Sequence, residues 1–367
     1  MIQIILNVFF SLLLAAIVFL LIFYILRQLL AAFMQKRFMD YRKKAGEKIE
    51  SFLDGNPDEF NRGLEEYIRE TGEHNKKNRS IIDVYLTAAL ELPVTEKKRK
   101  HLTAIARRLD FLPECLAQIR SGDPEISAIG ARRAGLYNFT ETLDDMVAAL
   151  DNLTSENQFE ILMSLSRFGA ADAMERAFAK IAKNIIVNER GIVEILSLFP
   201  DGESKIKLFR NMIQNDEDYI SALFLKSMDS KMARTMSKDI IAVLHKGNKE
   251  VRAAAVRALY TLERRAPAQE LIKALEDPDW EVRALAAKAL KPVKKHEASI
   301  ALFKALSDQQ WWVRQNAANA LANHPDYEVL FVLASELGDE YTKDSIISAI
   351  ENDGSWPFLQ SLKRLEA

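Results

Sequence analysis

Reading the chain at a fixed step exposes a column of apolar positions: Ile119, Leu150, Ala182, Ile213, Leu244, Leu275, Leu306 and Leu337. Successive members lie 31 residues apart, with a single step of 32. Four residues before each stands a second apolar side chain: Cys115, Met146, Phe178, Phe209, Ile240, Leu271, Leu302 and Leu333. Positions i and i+4 share one face of an α-helix, so every step predicts one amphipathic helix in a common register. Two residues after the column come Ser121, Asn152, Asn184, Asn215, Lys246, Asp277, Asp308 and Asp339, all polar, as a helix end requires.

A partner helix is plainest in three copies. Val251, Val282 and Val313 are each followed by Arg252, Arg283 and Arg314. Four residues past each Val stands Ala255, Ala286 or Ala317; further on come Ala258-Leu259, Ala289-Leu290 and Ala320-Leu321. Small Ala lets helices approach closely while Val and Leu fill the space between layers. Pro267, Pro292 and Pro325 mark the connections, since Pro does not continue a helix. Each unit is therefore a helical hairpin that buries its apolar face only by stacking on neighbours.

These residues carry a resemblance. Asp277-Pro278-Asp279-Trp280-Glu281-Val282-Arg283, and Asp308 through Val313-Arg314 with the Ala spacing behind them, resemble HEAT repeats of the short bacterial kind. The likeness is strong over about residues 246–340 and weakens back to about 111, where the Val-Arg pair is lost. It implies an all-α fold, a right-handed α-solenoid of about eight helical hairpins. It also implies a ladder between neighbouring repeats built from Asp277, Arg283, Asp308 and Arg314, each Asp six residues before its Arg.

Outside the period the pattern changes. The run from Ile2 to Leu26 carries no charged side chain. As a helix it is about 37 Å long, enough to cross a hydrocarbon core of about 30 Å. It lacks the charged leader and short apolar stretch of a signal peptide, so residues 1–27 are expected to be a retained transmembrane helix. Residues 28–44 follow as a basic juxtamembrane segment with Lys36, Arg37, Arg42, Lys43 and Lys44 against Asp40. The positive-inside rule then places the N-terminus outside and the repeats on the cytoplasmic side of the cell membrane. Residues 45–110, broken at Gly55-Asn56-Pro57, Thr71-Gly72 and Leu92-Pro93, predict helices near 37–53, 58–70, 79–91 and 96–109. They form an N-terminal cap to an array over 111–340. A C-terminal cap covers 341–367, where Asp344 takes the Val position.

Composition agrees with helix: 13 Gly and 10 Pro in 367 residues fall below ordinary usage. A net charge of −2 supplies no field that recruits nucleic acid. The single Cys115 excludes an internal disulfide and any multi-cysteine zinc site. No phosphate-cradling glycine loop, His-Glu-x-x-His helix or nucleophile elbow occurs. Adjacent acids such as Glu65-Glu66 point about 100° apart on a helix and do not converge as an acid–base couple. No catalytic residue, metal or cofactor is expected, and the chain reads as a non-enzyme.

Two surfaces remain as candidates. Trp280 and Trp311 occupy equal positions in adjacent repeats and Trp312 follows, a possible partner-binding ridge or a staple over helix starts. Lys97, Lys98, Arg99, Lys100, Arg107 and Arg108 form a basic cluster suited to an anionic surface, which Arg120, Arg132 and Arg133 would extend. The leading expectation is a membrane-anchored scaffold that binds a protein partner at or in the membrane. An integral membrane protein, such as a polysaccharide-synthesising glycosyltransferase, is one candidate that no residue singles out. The alternatives are a reader of anionic membrane lipid and a HEAT-like enzyme acting on nucleic acid. The charge balance argues against the last.

Overall fold

The computed structural model describes residues 20–21, 23–29, 33, 36, 39–40, 42–72, 75–181, 189–215, 217–325, 327–337 and 340–353. Among these, every regular element is a helix. Residues 2–19 of the expected membrane span lie outside the described residues, as do Ala182, Asn184, Asp339 and residues 354–367. Residues 20, 21 and 23–29 are helical, with Leu20, Phe23, Tyr24 and Leu26 exposed. Among the described residues no helix is long and apolar enough to cross a membrane.

The chain divides into two compact units, Met1–Asp145 and Met146–Ala367. The first contains α1 (residues 42–53), α2 (Pro57–Thr71), α3 (Lys76–Glu91), α4 (Glu96–Arg108), α5 (Leu112–Ile119) and α6 (Pro124–Tyr137). The breaks expected at Gly55-Asn56-Pro57 and Leu92-Pro93 are capping sites. Asn56 accepts from the Asp58 and Glu59 amides while Glu59 reaches back to the Asn56 amide, closing a capping box ahead of Pro57. Thr95 accepts from the Lys98 amide and Asp123 from those of Glu125 and Ile126. Such caps satisfy orphan N–H groups that a helix cannot satisfy itself. Leu53, Phe60, Leu86, Leu102 and Ile105 fill the core beneath. The first hairpin in the 31-residue register, α5–α6, packs in this unit against α3 and α4. Its two helices nearly touch: a Cβ on Gly130 would sit 2.6 Å from the Gln118 Cβ and 2.9 Å from the Ile119 amide nitrogen.

The second unit follows α7 (Leu143–Ala149), which crosses the division. Its outer row, carrying the apolar column, is α9 (Ala171–Ile181), α11 (Glu203–Met212), α14 (Ser237–Leu244), α16 (Ala268–Ala274), α18 (His296–Ala305) and α20 (Tyr327–Leu337). The partner row is α8 (Ser155–Phe168), α10 (Glu189–Ser197), α12 (Asp218–Lys226), α15 (Lys249–Tyr260), α17 (Trp280–Leu290), α19 (Trp311–Leu321) and α21 (Glu340–Asp353). Each partner helix packs on the next, from α8 through to α21. Val251, Val282 and Val313, together with the Ala and Leu positions behind them, are all buried. So are Phe178, Phe209, Ile240, Leu271 and Leu302 of the outer column.

The register loosens in two places. Leu333, expected in the core, is exposed. The short helix α13 (Ser230–Thr235) is inserted between α12 and α14. The 31-residue step is kept because α12 is cut to nine residues, against 12 in α15 and 11 in α17.

Candidate interaction surface

The loops entering α17 and α19 are organised by aspartates. The Asp277 carboxylate accepts from the Asp279 amide at 2.9 Å, and that of Asp308 from the Gln310 amide at 2.8 Å. Each loop is thereby folded into an Asx turn that starts the next helix. The same carboxylates face arginines of the preceding repeat. Arg252 donates to both oxygens of Asp277 at 2.7 and 2.9 Å and to Asp279 at 2.7 Å. Arg283 donates to Asp308 at 2.7 and 3.1 Å.

The partners differ from the pairing by six residues. Arg283 reaches the Asp277 carbonyl, at 2.8 Å, and Arg314 the Asp308 carbonyl, also at 2.8 Å. The ionic partner lies 25 residues ahead. A guanidinium has five N–H donors in a fixed fork. One end of it closes its own repeat's loop while the fork grips the next repeat's carboxylate. The same step from Arg314 arrives at Asp339, outside the described residues. The hydrogen bonds to Asp277 and Asp308 hold Arg252 and Arg283 even more firmly protonated than usual.

Trp280 and Trp311 open α17 and α19, as expected, but in different surroundings. Trp280 is half-buried, whereas Trp311 and Trp312 are 48% and 56% exposed. The last two meet edge to face, 4.6 Å between centroids and 75° between planes. Tyr341, exposed at the start of α21, lies under the Arg314 guanidinium at 5.3 Å. An aromatic surface is therefore centred on α19 and α21. The sequence reading missed Tyr341 because it sits one residue off the Trp position.

The basic cluster on α4 is largely neutralised within the first unit. Lys98 donates to Glu50 at 2.5 Å, Arg107 to Glu141 at 2.8 Å and Arg108 to Glu65 at 2.8 Å. Lys100 lies 3.8 Å from Glu96, and Lys97 donates to the Asp54 carbonyl. Arg99 is half-buried. Side-chain hydrogen bonds from Arg108 and Arg107 hold the Glu65 and Glu141 carboxyls below their ordinary value of 4.5.

Nor do Arg132 and Arg133 extend that cluster. Arg132 binds Glu91. Arg133 is 8% exposed and donates to Asp83 at 2.8 and 3.0 Å and to Gln118 at 2.8 Å, with Glu114 at 3.4 Å. The Tyr137 hydroxyl donates to Asp83 as well; burial and then that carboxylate push the hydroxyl far above its ordinary range. This network joins α3, α5 and α6, and sequence reasoning missed it because its members follow no period. Cys115 lies beside it, buried, its thiol pushed up to about 11 by desolvation. Among the described residues no group of His, Cys, Asp and Glu is arranged to hold a metal. His324 is buried and hydrogen-bonded to Ser299 at 2.9 Å.

Comparison with known proteins agrees with this arrangement in part. A family model described as HEAT repeats matches residues 237–322 and 268–352. That interval holds the arginine ladder and the exposed aromatic residues. One similar solved structure is titled as the crystal structure of an engineered protein. It shares 16% identity, covers 78% of this chain and 92% of its own, and gives a TM-score of 0.40. No curated protein matches the chain.

Proposed function

We propose that the chain is a membrane-tethered scaffold that docks a protein partner on the aromatic edge around Trp311 and Trp312. Repeat solenoids present extended surfaces, and HEAT repeats generally mediate protein–protein interaction and scaffolding. The observation that carries the reading is the exposure of two adjacent tryptophans on helix α19. Of the nearby charges, Arg314 donates to the Asp308 and Gln309 carbonyls and lies over the Tyr341 ring. Exposed Trp in such a setting is the residue type that most often dominates a binding interface. Tethering rests on the uncharged run Ile2–Leu26 and the basic segment behind it. The lipid alternative is weaker, because the cations of α4 are held by carboxylates of the same unit.

The test uses the full chain, tagged at its C-terminus and purified from native membranes in mild detergent. Trp311→Ala with Trp312→Ala is expected to lower recovery of a stoichiometric partner at least about tenfold, since each such anchor contributes on the order of 2 kcal/mol. Helicity should stay unchanged. Equal recovery with both residues replaced would sink the docking site. Recovery of the chain in the soluble fraction would sink the tether.

A further inference from the structure

Not every cation of the second unit is paired like those of the ladder. Arg257, Arg264, Arg265, Lys288, Lys291 and Lys295 are all exposed, and none forms an ion pair among the described residues. They lie where the partner row turns back to the outer row. Arg257 and Lys288 stand in the last turns of α15 and α17. Arg264 and Arg265 occupy the turn between α15 and α16, and Lys291 and Lys295 the connection from α17 to α18. Two of the positions repeat at the period: Arg257 with Lys288, and Arg264 with Lys295, each 31 residues apart.

The two connections are neighbours. Helix α15 packs on α17 and α16 on α18, and the Lys288 ammonium lies 5.9 Å from the ring centroid of the exposed Tyr260. Lys294 donates to the Asn323 carbonyl and fastens the second connection to the end of α19. Within the two connections the one carboxylate is Glu263; Glu297 follows in the first turn of α18. A helix dipole favours cations in a last turn, which accounts for Arg257 and Lys288. Arg264, Arg265 and Lys295 lie four or five residues past the helix ends, where that effect has faded. An edge of like charge that the fold does not neutralise is a surface for an anionic partner.

We propose that this basic edge lies against the anionic lipid headgroups of a bilayer. The charges are spread over two successive connections, which suits a plane of many mobile anions. Tyr260 beside them is of the type found at the headgroup level, an apolar ring with a polar tip. The preference for lipid over another polyanion rests on the tether proposed above. Helix α17 starts at Trp280 and is 11 residues long, so its basic end lies about 16 Å from its aromatic start. Helix α19 starts in the same way at Trp311. Seating the basic edge on the bilayer therefore turns the Trp311–Trp312 edge away from it, toward a partner approaching from the aqueous side.

The test places the full chain in nanodiscs of phosphatidylcholine, with or without about one third phosphatidylserine, and reads lysine acetylation by peptide mass spectrometry. Acetylation of Lys288, Lys291 and Lys295 is expected to fall at least about threefold on the anionic discs and to recover in high salt. Lys249, at the opposite end of α15, should not change. Arg264→Glu with Arg265→Glu, on an exposed turn, should abolish the protection at unchanged helicity. Equal rates on the two kinds of disc overturn the proposal, as does an equal fall at Lys249 or protection that the double variant retains. Protection by polyglutamate on phosphatidylcholine discs, with none from phosphatidylserine, also overturns it and assigns the edge to an acidic protein. A chain that does not enter the discs refutes the tether instead. The same acetylation with phosphatidylserine vesicles then decides the edge, and unchanged rates overturn it.

Discussion

Arginine is used in opposite ways by the two units. In the first, Arg133 is buried once, at a junction of three helices, with Asp83, Gln118 and Glu114 around it. In the second, Arg252 and Arg283 sit nearer the surface and repeat one geometry, each joining two consecutive loops. A buried charge depends on every partner, since losing one leaves an ion in a dry site. A ladder charge is somewhat more exposed, 16% for Arg252 and 17% for Arg283 against 9% for Arg133, and its loss is confined to one joint. Similar chemistry thus makes an irreplaceable centre in one unit and an interchangeable fastener in the other.

The sharpest way to break this contrast is Asp83→Ala, which leaves the Arg133 guanidinium without its principal carboxylate. A loss of about 3 kcal/mol is expected. Urea-dependent alkylation of Cys115 would read it, because that thiol is buried and protonated at neutral pH. Replacing both members, Asp83→Leu with Arg133→Met, should recover much of the loss; a double variant as weak as the single one would contradict the account. Next comes the apolar column of the second unit. Leu302→Ala and Leu271→Ala should each cost about 2–5 kcal/mol by creating a cavity in a fully buried layer. Thermal melting monitored by helicity measures this, and a change below about 0.5 kcal/mol would refute the shared register.

Smaller effects sharpen the ladder. Arg283→Lys keeps the charge and loses the fork, at a cost of about 1 kcal/mol. Arg252 binds the Asp277 carboxylate while Arg283 binds its carbonyl, so the two joints share a residue. A double-mutant cycle with Arg252→Lys should show coupling of at least about 0.5 kcal/mol, and strict additivity would mean the joints are independent. The smallest effect concerns pH. Glu65 and Glu141 have carboxyls lowered by Arg108 and Arg107, so the folded state binds protons less readily than the unfolded one. Their contribution is present above the ordinary value of 4.5 and is lost as pH falls through the lowered folded values. Glu141→Gln with Glu65→Gln should flatten the acid limb, lowering stability near pH 7 and leaving it unaltered below the lowered folded values, as acid titration of the unfolding midpoint would show.

Legibility followed periodicity. The column through Phe209, Ile240, Leu271 and Leu302 was readable because each repeat meets the same neighbour, so each repeats the same residue. The Asp and Arg of the ladder were readable as positions. Their pairing was not, because a spacing of six within one repeat is more conspicuous than a spacing of 25 across two. The helices of residues 45–110 were marked by the breaks at Gly55-Asn56-Pro57, Thr71-Gly72 and Leu92-Pro93, whose turn chemistry is local. What connects those helices are contacts that each occur once, Lys98 to Glu50 and Arg108 to Glu65 among them, and one occurrence leaves no pattern. Likewise α13 was invisible in the register, because shortening α12 kept the count of residues constant.

In the ladder, every repeat contributes one acceptor, facing backward, and one donor, facing forward. The joint at Arg252 would therefore find a carboxylate at Asp308 if the block between Asp277 and Ser307 were removed, with Gln310 in place of its second partner Asp279. It would also find it if that block were doubled. Nothing in such a joint encodes how many repeats there should be. Length in this part of the molecule is a quantity that whole-unit duplication or deletion can reset while each arginine fork still meets the carboxylate of the next loop.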